Sequence, residues 1–131
     1  MSKTHTIVET IAYTSSDLSR FTQTTSQTAG SETVVSESFT DATDALVAFT
    51  LDVSQCKSLA MWSVGGNMTV ETNSSSSPAD TFALVDGVPV VWSSAMLGTP
   101  DNPVGTDVTA LYVTNTGTAR LEIRVLFDPT V

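Results

Sequence analysis

The chain has few of the residue types on which enzyme sites and nucleic-acid interfaces depend. Its 131 residues include one histidine, one cysteine, two lysines and three arginines, against 14 Asp and Glu, so the formal net charge is −9. Without clustered basic side chains, we do not expect direct binding to the phosphates of nucleic acid. A single cysteine cannot form an intramolecular disulfide, and zinc sites need clusters of Cys and His. The sequence therefore predicts neither a disulfide framework nor an ordinary zinc site.

Long apolar runs are also missing. No stretch approaches the roughly 20 apolar residues that cross a bilayer, and the first residues carry no apolar segment typical of a secretory signal. We therefore expect a soluble protein that is made in a reducing cytoplasm and makes no membrane contact. A length of 131 residues suits one domain, or one domain with an arm.

The chain is rich in small hydroxyl and β-branched residues, with 22 Thr, 17 Ser and 16 Val. β-branched side chains are stiff at χ1 and suit a pleated surface better than a helix. Apolar runs recur between turn signals and form eight or nine short segments. This spacing predicts an all-β fold, an antiparallel β-sandwich of jelly-roll type with eight or nine short strands.

The N-terminal part differs from the rest in composition. Residues 4–14 are predicted as a strand, whereas the polar residues 15–31 are typical of a loop, an extended arm or a weak edge strand. We therefore divide the chain into an N-terminal arm or edge-strand region, residues 1–31, and a β-sandwich domain, residues 32–131.

Two tight turns give clear local signals. Gly65-Gly66 and Asp86-Gly87 stand between apolar runs, and each predicts a hairpin. Residues 45–51 are predicted as one strand, followed by a short helical turn that Asp52 could cap. Pro89 cannot donate to a ladder, so it should lie at an edge or at a strand start.

The best-patterned segment is residues 119–127. Leu121, Ile123, Val125 and Phe127 alternate there with Arg120, Glu122, Arg124 and Leu126. A period of two predicts a strand with one buried and one exposed face.

Candidate catalytic and metal-binding residues are few. His5 lies near the start of the chain and is interpreted as an exposed bystander, and Cys56 as a small buried hydrophobe. Asp101, Asn102 and Asp107 offer the oxygen ligands that calcium prefers, but beside Pro and Gly they are typical of turns. We expect no catalytic, cofactor-binding or metal-binding residues and no enzyme activity.

Two further sets of residues have alternative interpretations. Trp62 and Trp92 lie inside predicted strands, where core packing is favoured over a sugar-stacking platform. The triplets that begin at Asn67 and Asn73 fit the glycosylation pattern, but without a secretory signal they are interpreted as accidental.

Residues 39–128 contain a recognisable order of strand and turn motifs. Its segments are LDVS (51–54), TVETNSS (69–75), PAD (78–80), PVVW (89–92) and the ending from VTN (113–115) to RVLFD (124–128). This order resembles small β-sandwich structural proteins of tailed bacteriophages, the head decoration or minor virion components. The likeness covers about 90 of the 131 residues.

The resemblance implies a non-enzymatic virion protein that docks on the phage head as a capsid decoration protein. Its partners would be the major capsid protein or other virion proteins. The resemblance, together with open strand edges, also implies a homo-oligomer, with a trimer as one form. A tail or neck protein is a variant of this hypothesis. The alternative is a carbohydrate- or receptor-binding module that uses the loops at residues 74–80 and 98–106.

Overall fold

The computed structural model describes residues 2–12, 20–96 and 98–129, with the side chains of residues 9–12 and 20–23 left undescribed. Tyr13 and Thr14, at the end of the first predicted strand, and residues 15–19 of the predicted loop lie outside the described residues. The described residues form ten strands and no helix: β1 (Lys3–Ala12), β2 (Arg20–Ala29), β3 (Ser31–Thr40), β4 (Ala45–Val47), β5 (Cys56–Val64), β6 (Met68–Thr72), β7 (Thr81–Leu84), β8 (Val90–Ser93), β9 (Leu111–Thr114) and β10 (Thr118–Phe127).

Eight of these strands form a sandwich of two antiparallel sheets. One sheet has the order β3-β10-β5-β8 and the other the order β4-β9-β6-β7. From β3 to β10, every connection except β6 to β7 passes from one sheet to the other. This is the connectivity of a jelly roll, so the predicted fold class is confirmed.

The remaining two strands form a separate hairpin. β1 and β2 pair along ten residues each, from Lys3 opposite Ala29 to Ala12 opposite Arg20. The segment interpreted as a loop, an arm or a weak edge strand thus contains a full strand, which explains why the described strands number ten rather than eight or nine.

The core lies between the two sheets. The inner face of β10 presents Ala119, Leu121, Ile123 and Val125, and all four are at most 2% exposed. Val70 and Val113, which belong to the opposite sheet, have no exposed surface. Burial of an aliphatic side chain of this size stabilises the fold by about 1.5–3 kcal/mol. The alternating apolar residues of β10 are therefore a main part of the contact that holds the two sheets together.

The two hairpins predicted at Gly65-Gly66 and Asp86-Gly87 are wrong. β5 and β6 lie in different sheets, and so do β7 and β8, so each turn is a corner between sheets. The corners bind one another: the Gly65 amide donates to Asp86 Oδ1 at 2.9 Å, and the Gly87 amide to the Ser63 carbonyl at 2.9 Å. Gly65 and Gly87 have positive φ angles of 94° and 76°, as tight reversals require. A turn sequence shows that the chain reverses its direction there. It does not show which of the two sheets the next strand joins.

Three smaller predictions can be compared with the structure of the sandwich. The strand predicted over residues 45–51 is shorter, because β4 ends at Val47 and only Leu51 continues, as an isolated bridge to Val108. Asp52 caps a turn rather than a helix, accepting the Ser54 amide at 2.9 Å. Pro89 precedes β8, an edge strand, as predicted.

Candidate functional site

The hairpin covers part of the outer face of the β3-β10-β5-β8 sheet. His5 on β1 contacts both Glu32 and Ser58, with Nε2 2.6 Å from Glu32 Oε2 and Nδ1 3.1 Å from Ser58 Oγ. From β2, Gln27 Nε2 donates to Ser94 Oγ at 2.9 Å. His5 has a side chain only 15% exposed, so its interpretation as an exposed bystander is wrong. It fastens the hairpin to the sandwich.

The cover also buries residues that the alternation assigned to an exposed face. Leu126, Ser58 and Ser93 lie in one row across β10, β5 and β8 on the outer face, and each is at most 1% exposed. The prediction that the Arg120, Glu122, Arg124 and Leu126 face is exposed is therefore wrong for Leu126. Glu122 is buried as well, at 9% exposure.

Next to the hairpin, the outer face carries a charged cluster around Glu122. Ser36 Oγ donates to Glu122 Oε1 at 2.9 Å, and Arg124 Nη2 donates to Glu122 Oε2 at 3.0 Å. Arg120 is more distant, with Nε 4.0 Å from Oε1, and its side chain is 53% exposed. Because Ser36 and Arg124 donate hydrogen bonds to Glu122, the negative charge of its buried carboxylate is compensated.

These contacts set the acidity of Glu122. Burial acts to raise the pKa of the carboxyl, but the hydrogen bonds from Ser36 and Arg124 and the charges of Arg124 and Arg120 outweigh it, so the pKa lies below its usual value. Arg124 is fully engaged too, because its Nη1 donates to the Val35 and Ile123 carbonyls at 3.0 and 2.9 Å. Arg120 Nη1 donates to Ser36 Oγ at 3.2 Å, but its side chain is 53% exposed, so it is the more accessible cation of this cluster.

The two tryptophans have different environments. Trp92 belongs to the core, as predicted, and its Nε1 donates to the Pro100 carbonyl at 2.8 Å. Trp62 is half-buried on the outer face, with the Arg124 guanidinium carbon 5.4 Å from its ring centroid. The core interpretation of Trp62 is wrong, because it occupies the face of β5 opposite to that of Leu59 and Met61.

Cys56 is buried, as predicted. Burial raises the pKa of its thiol to about 11, although hydrogen bonding from the Asn102 side chain and contact with the Ser58 backbone act in the opposite direction. A thiol with such a pKa is protonated at neutral pH and is a poor nucleophile.

Two of the three residues considered for calcium, Asn102 and Asp107, accept backbone amides with their side-chain oxygens. Asp107 Oδ1 accepts the Val53 amide and Asn102 Oδ1 accepts the Val104 amide, both at 2.9 Å. Within the part of the chain that the structure describes, no group of three His, Cys, Asp or Glu is placed to hold a metal ion. These residues shape turns, which is the other interpretation of their sequence context.

The two loops proposed for carbohydrate binding meet in space. Asp80 Oδ2, in the loop at residues 74–80, accepts the Gly105 amide of the loop at residues 98–106 at 3.1 Å. Asn73 lies next to these loops, and its side-chain amide is already hydrogen-bonded: Nδ2 donates to the Asp107 carbonyl and Oδ1 accepts the Thr109 amide. Trp92 points into the core and offers these loops no stacking surface.

Sequence reasoning missed His5, Ser36 and Trp62 as members of the outer face. The alternation of Arg120, Glu122 and Arg124 on one face of β10 was a visible signal for the charged cluster. No sequence signal shows that the hairpin folds over this sheet rather than extending away from it.

Comparison of the chain with known protein families, with curated proteins and with solved structures finds no match. Among the described residues, no helix is long and apolar enough to span a membrane.

Proposed function

We propose that the protein is a non-enzymatic virion protein that decorates the head of a tailed bacteriophage and docks on it through the β1–β2 hairpin. The jelly roll supports this proposal, since viral capsid and lectin domains use the same architecture. So does the resemblance of residues 39–128 to phage decoration proteins. The observation that carries the proposal is the hairpin, which forms a sheet of its own.

The hairpin has the properties of a docking arm. His5 and Gln27, which fasten it to the sandwich, lie near its open end. Arg20, at the closed end, is seven residues from Gln27, or about 23 Å along the strand. Val8 on β1 is 61% exposed. A two-stranded ribbon is marginally stable alone and offers both edges to a partner, so contact with shell subunits would stabilise it.

A shortened hairpin tests this proposal. Residues 10–22 are replaced by Asn-Gly, which closes a tight turn between the paired residues Glu9 and Gln23 and keeps His5 and Gln27 in place. Heads of the phage that encodes the chain are depleted of the protein and titrated with each variant, and bound copies are counted. We expect wild type to saturate the heads and the shortened variant to bind about tenfold more weakly or worse, a loss of ~1.4 kcal/mol or more.

Leu46→Ser is the matched control, because Leu46 is 66% exposed on β4 in the opposite sheet. It should bind as wild type does. Equal binding by the shortened variant would remove the hairpin from the interface. Absence of saturable wild-type binding to heads, with binding to tails instead, would contradict a head location.

A carbohydrate-binding module is the second candidate, favoured by the contact between Asp80 and Gly105 that joins two loops into one surface. Trp92→Ala cannot test it, since Trp92 is a core residue whose loss would unfold the protein. Glycan-array binding that is abolished by Asp80→Ala, with head binding absent, would support this candidate. Saturable head binding without glycan binding would exclude it.

A further inference from the structure

The sandwich has four edge strands among the described residues, and three of them are protected against pairing. β4 has three residues, and β7 and β8 have four each, with Pro89 directly before β8. Short edges and proline are devices by which natural proteins prevent edge-to-edge association. β3 has neither, since it runs for ten residues without Pro or Lys.

β3 is also regular along its whole length. It pairs with β10 in one constant register from Ser31 opposite Phe127 to Thr40 opposite Thr118, without a bulge. Within the described part of the chain, β10 is its only ladder partner. Val34 is 53% exposed on this strand. A straight, open edge of this length is a template for another strand.

We propose that β3 pairs with β3 of a second copy of this chain, antiparallel about a two-fold axis at Val35. The two β3-β10-β5-β8 sheets would then form one sheet of eight strands. Pairing of identical strands about a two-fold axis closes as a dimer and leaves no free β3 edge. The inference does not rest on docking to phage heads.

The charges on β3 are compatible with this register, and the neighbouring charges on β10 favour it. Centred on Val35, Glu32 faces Ser38 of the second copy and Glu37 faces its Thr33, so no like charges are opposed. On β10, Arg120 lies directly beside Ser38. Each Glu32 would therefore lie in one row with an arginine of the other copy, two strand spacings or about 10 Å away across the small Ser38.

Neighbouring registers lack this complementarity. A two-fold axis at Val34 would place Glu32 opposite Ser36 of the second copy, in one row with the acidic Glu122. An axis at Ser36 would place Glu32 opposite Thr40, beside Thr118, with no cation in the row. Arg120 is 53% exposed, donates to Ser36 Oγ at 3.2 Å and lies 4.0 Å from Glu122. It is thus the cation that the Val35 register engages.

Two substitutions of Ser38, one to an acidic and one to a basic residue, test whether the dimer forms in this register. Ser38→Glu places a carboxylate beside Arg120 within one chain, which favours folding, but opposes Glu32 of the second copy twice per dimer. Ser38→Lys places a lysine beside Arg120 within one chain, which disfavours folding, but this lysine faces Glu32 of the second copy, which favours the dimer. By sedimentation equilibrium, we expect wild type and Ser38→Lys to be dimers and Ser38→Glu to be a folded monomer, with thermal unfolding as the check on folding.

Mixing tests the register itself. Glu32→Lys alone should dissociate, because the new lysine lies in one row with Arg120 of the second copy. Since this substitution also removes the contact of Glu32 with His5, the hairpin is checked by hydrogen exchange in β1 and β2. Mixed with Ser38→Glu, it should form a heterodimer in which the introduced lysine of one chain faces the introduced glutamate of the other, and native mass spectrometry would detect the two masses together. A monomeric or trimeric wild type, or a dimer unaffected by Ser38→Glu, would overturn the proposal.

Discussion

Arg124 binds Trp62 and Glu122 at the same time: its guanidinium carbon lies 5.4 Å from the indole centroid, and its Nη2 donates to Glu122 Oε2 at 3.0 Å. Glu122 and Trp62 are directly opposite one another on β10 and β5. The three side chains thus form one unit on the outer face, in which the arginine compensates the buried carboxylate and covers the aromatic ring.

Arg124→Met should destabilise the protein by about 1–3 kcal/mol, because it leaves the buried Glu122 without its principal cation. Arg120→Met is the matched control, since Arg120 is 53% exposed and 4.0 Å from the same carboxylate. Its loss should cost less than about 1 kcal/mol. Urea unfolding of both variants measures the difference, and equal losses would show that Arg124 has no special role.

Stability should fall on acidification partly through Glu122. The pKa of its carboxyl is lower in the folded protein than the ordinary value of 4.5, so the unfolded chain binds a proton first. The stabilisation from the ionised group is complete above about pH 5 and is lost as the pH falls through the folded-state pKa. Glu122→Gln should have a flatter free energy of unfolding across this acid range. An unchanged acid slope would contradict the assignment.

Cys56 should be inert towards thiol reagents in the native protein. Burial raises the pKa of its thiol from 9.0 to about 11, so almost no thiolate is present at pH 8. A disulfide reagent followed by absorbance should modify it only at the rate of unfolding, and rapidly in urea. Rapid native modification would mean that the β5 end of the core opens locally.

His5→Ala should loosen the hairpin without unfolding the sandwich. It removes the contacts with Glu32 and Ser58 and leaves Ser58 buried with fewer partners. Hydrogen exchange should accelerate in β1 and β2 and stay slow in β10. Thr4→Ala is the control, because the contact of Thr4 with Thr28 is an exposed pair of hydroxyls inside the hairpin. Equal acceleration in β10 would show that hairpin and sandwich unfold together.

Much of the fold could be predicted from local pattern. The alternation at residues 119–127, the turn residues and the excess of Thr and Val predicted an antiparallel sandwich, and β10 lies where the pattern placed it. The same reasoning failed at Gly65-Gly66. A strand that returns beside its predecessor and one that crosses to the opposite sheet have the same period-two pattern, because both present one face to the same core.

The candidate site was less predictable, because its burial comes from distant segments. Leu126 and Ser58 lie on the outer faces of their strands, where period-two alternation places side chains away from the core, and yet both are buried. His5 contacts Ser58 although it lies 53 residues earlier in the chain. Neither charge pattern nor turn chemistry encodes a contact over such a separation.

The sequence by itself determined the class of the protein: an acidic β-sandwich with one buried thiol and a polar N-terminal region. Residue type and alternation are local properties, and they suffice to decide which side chains avoid water. Only the tertiary structure decided which sheet each strand joins, that the hairpin covers one outer face, and that β3 keeps an open edge. Those outcomes depend on the packing of segments that are far apart in the chain, because one segment is buried only where another packs against it.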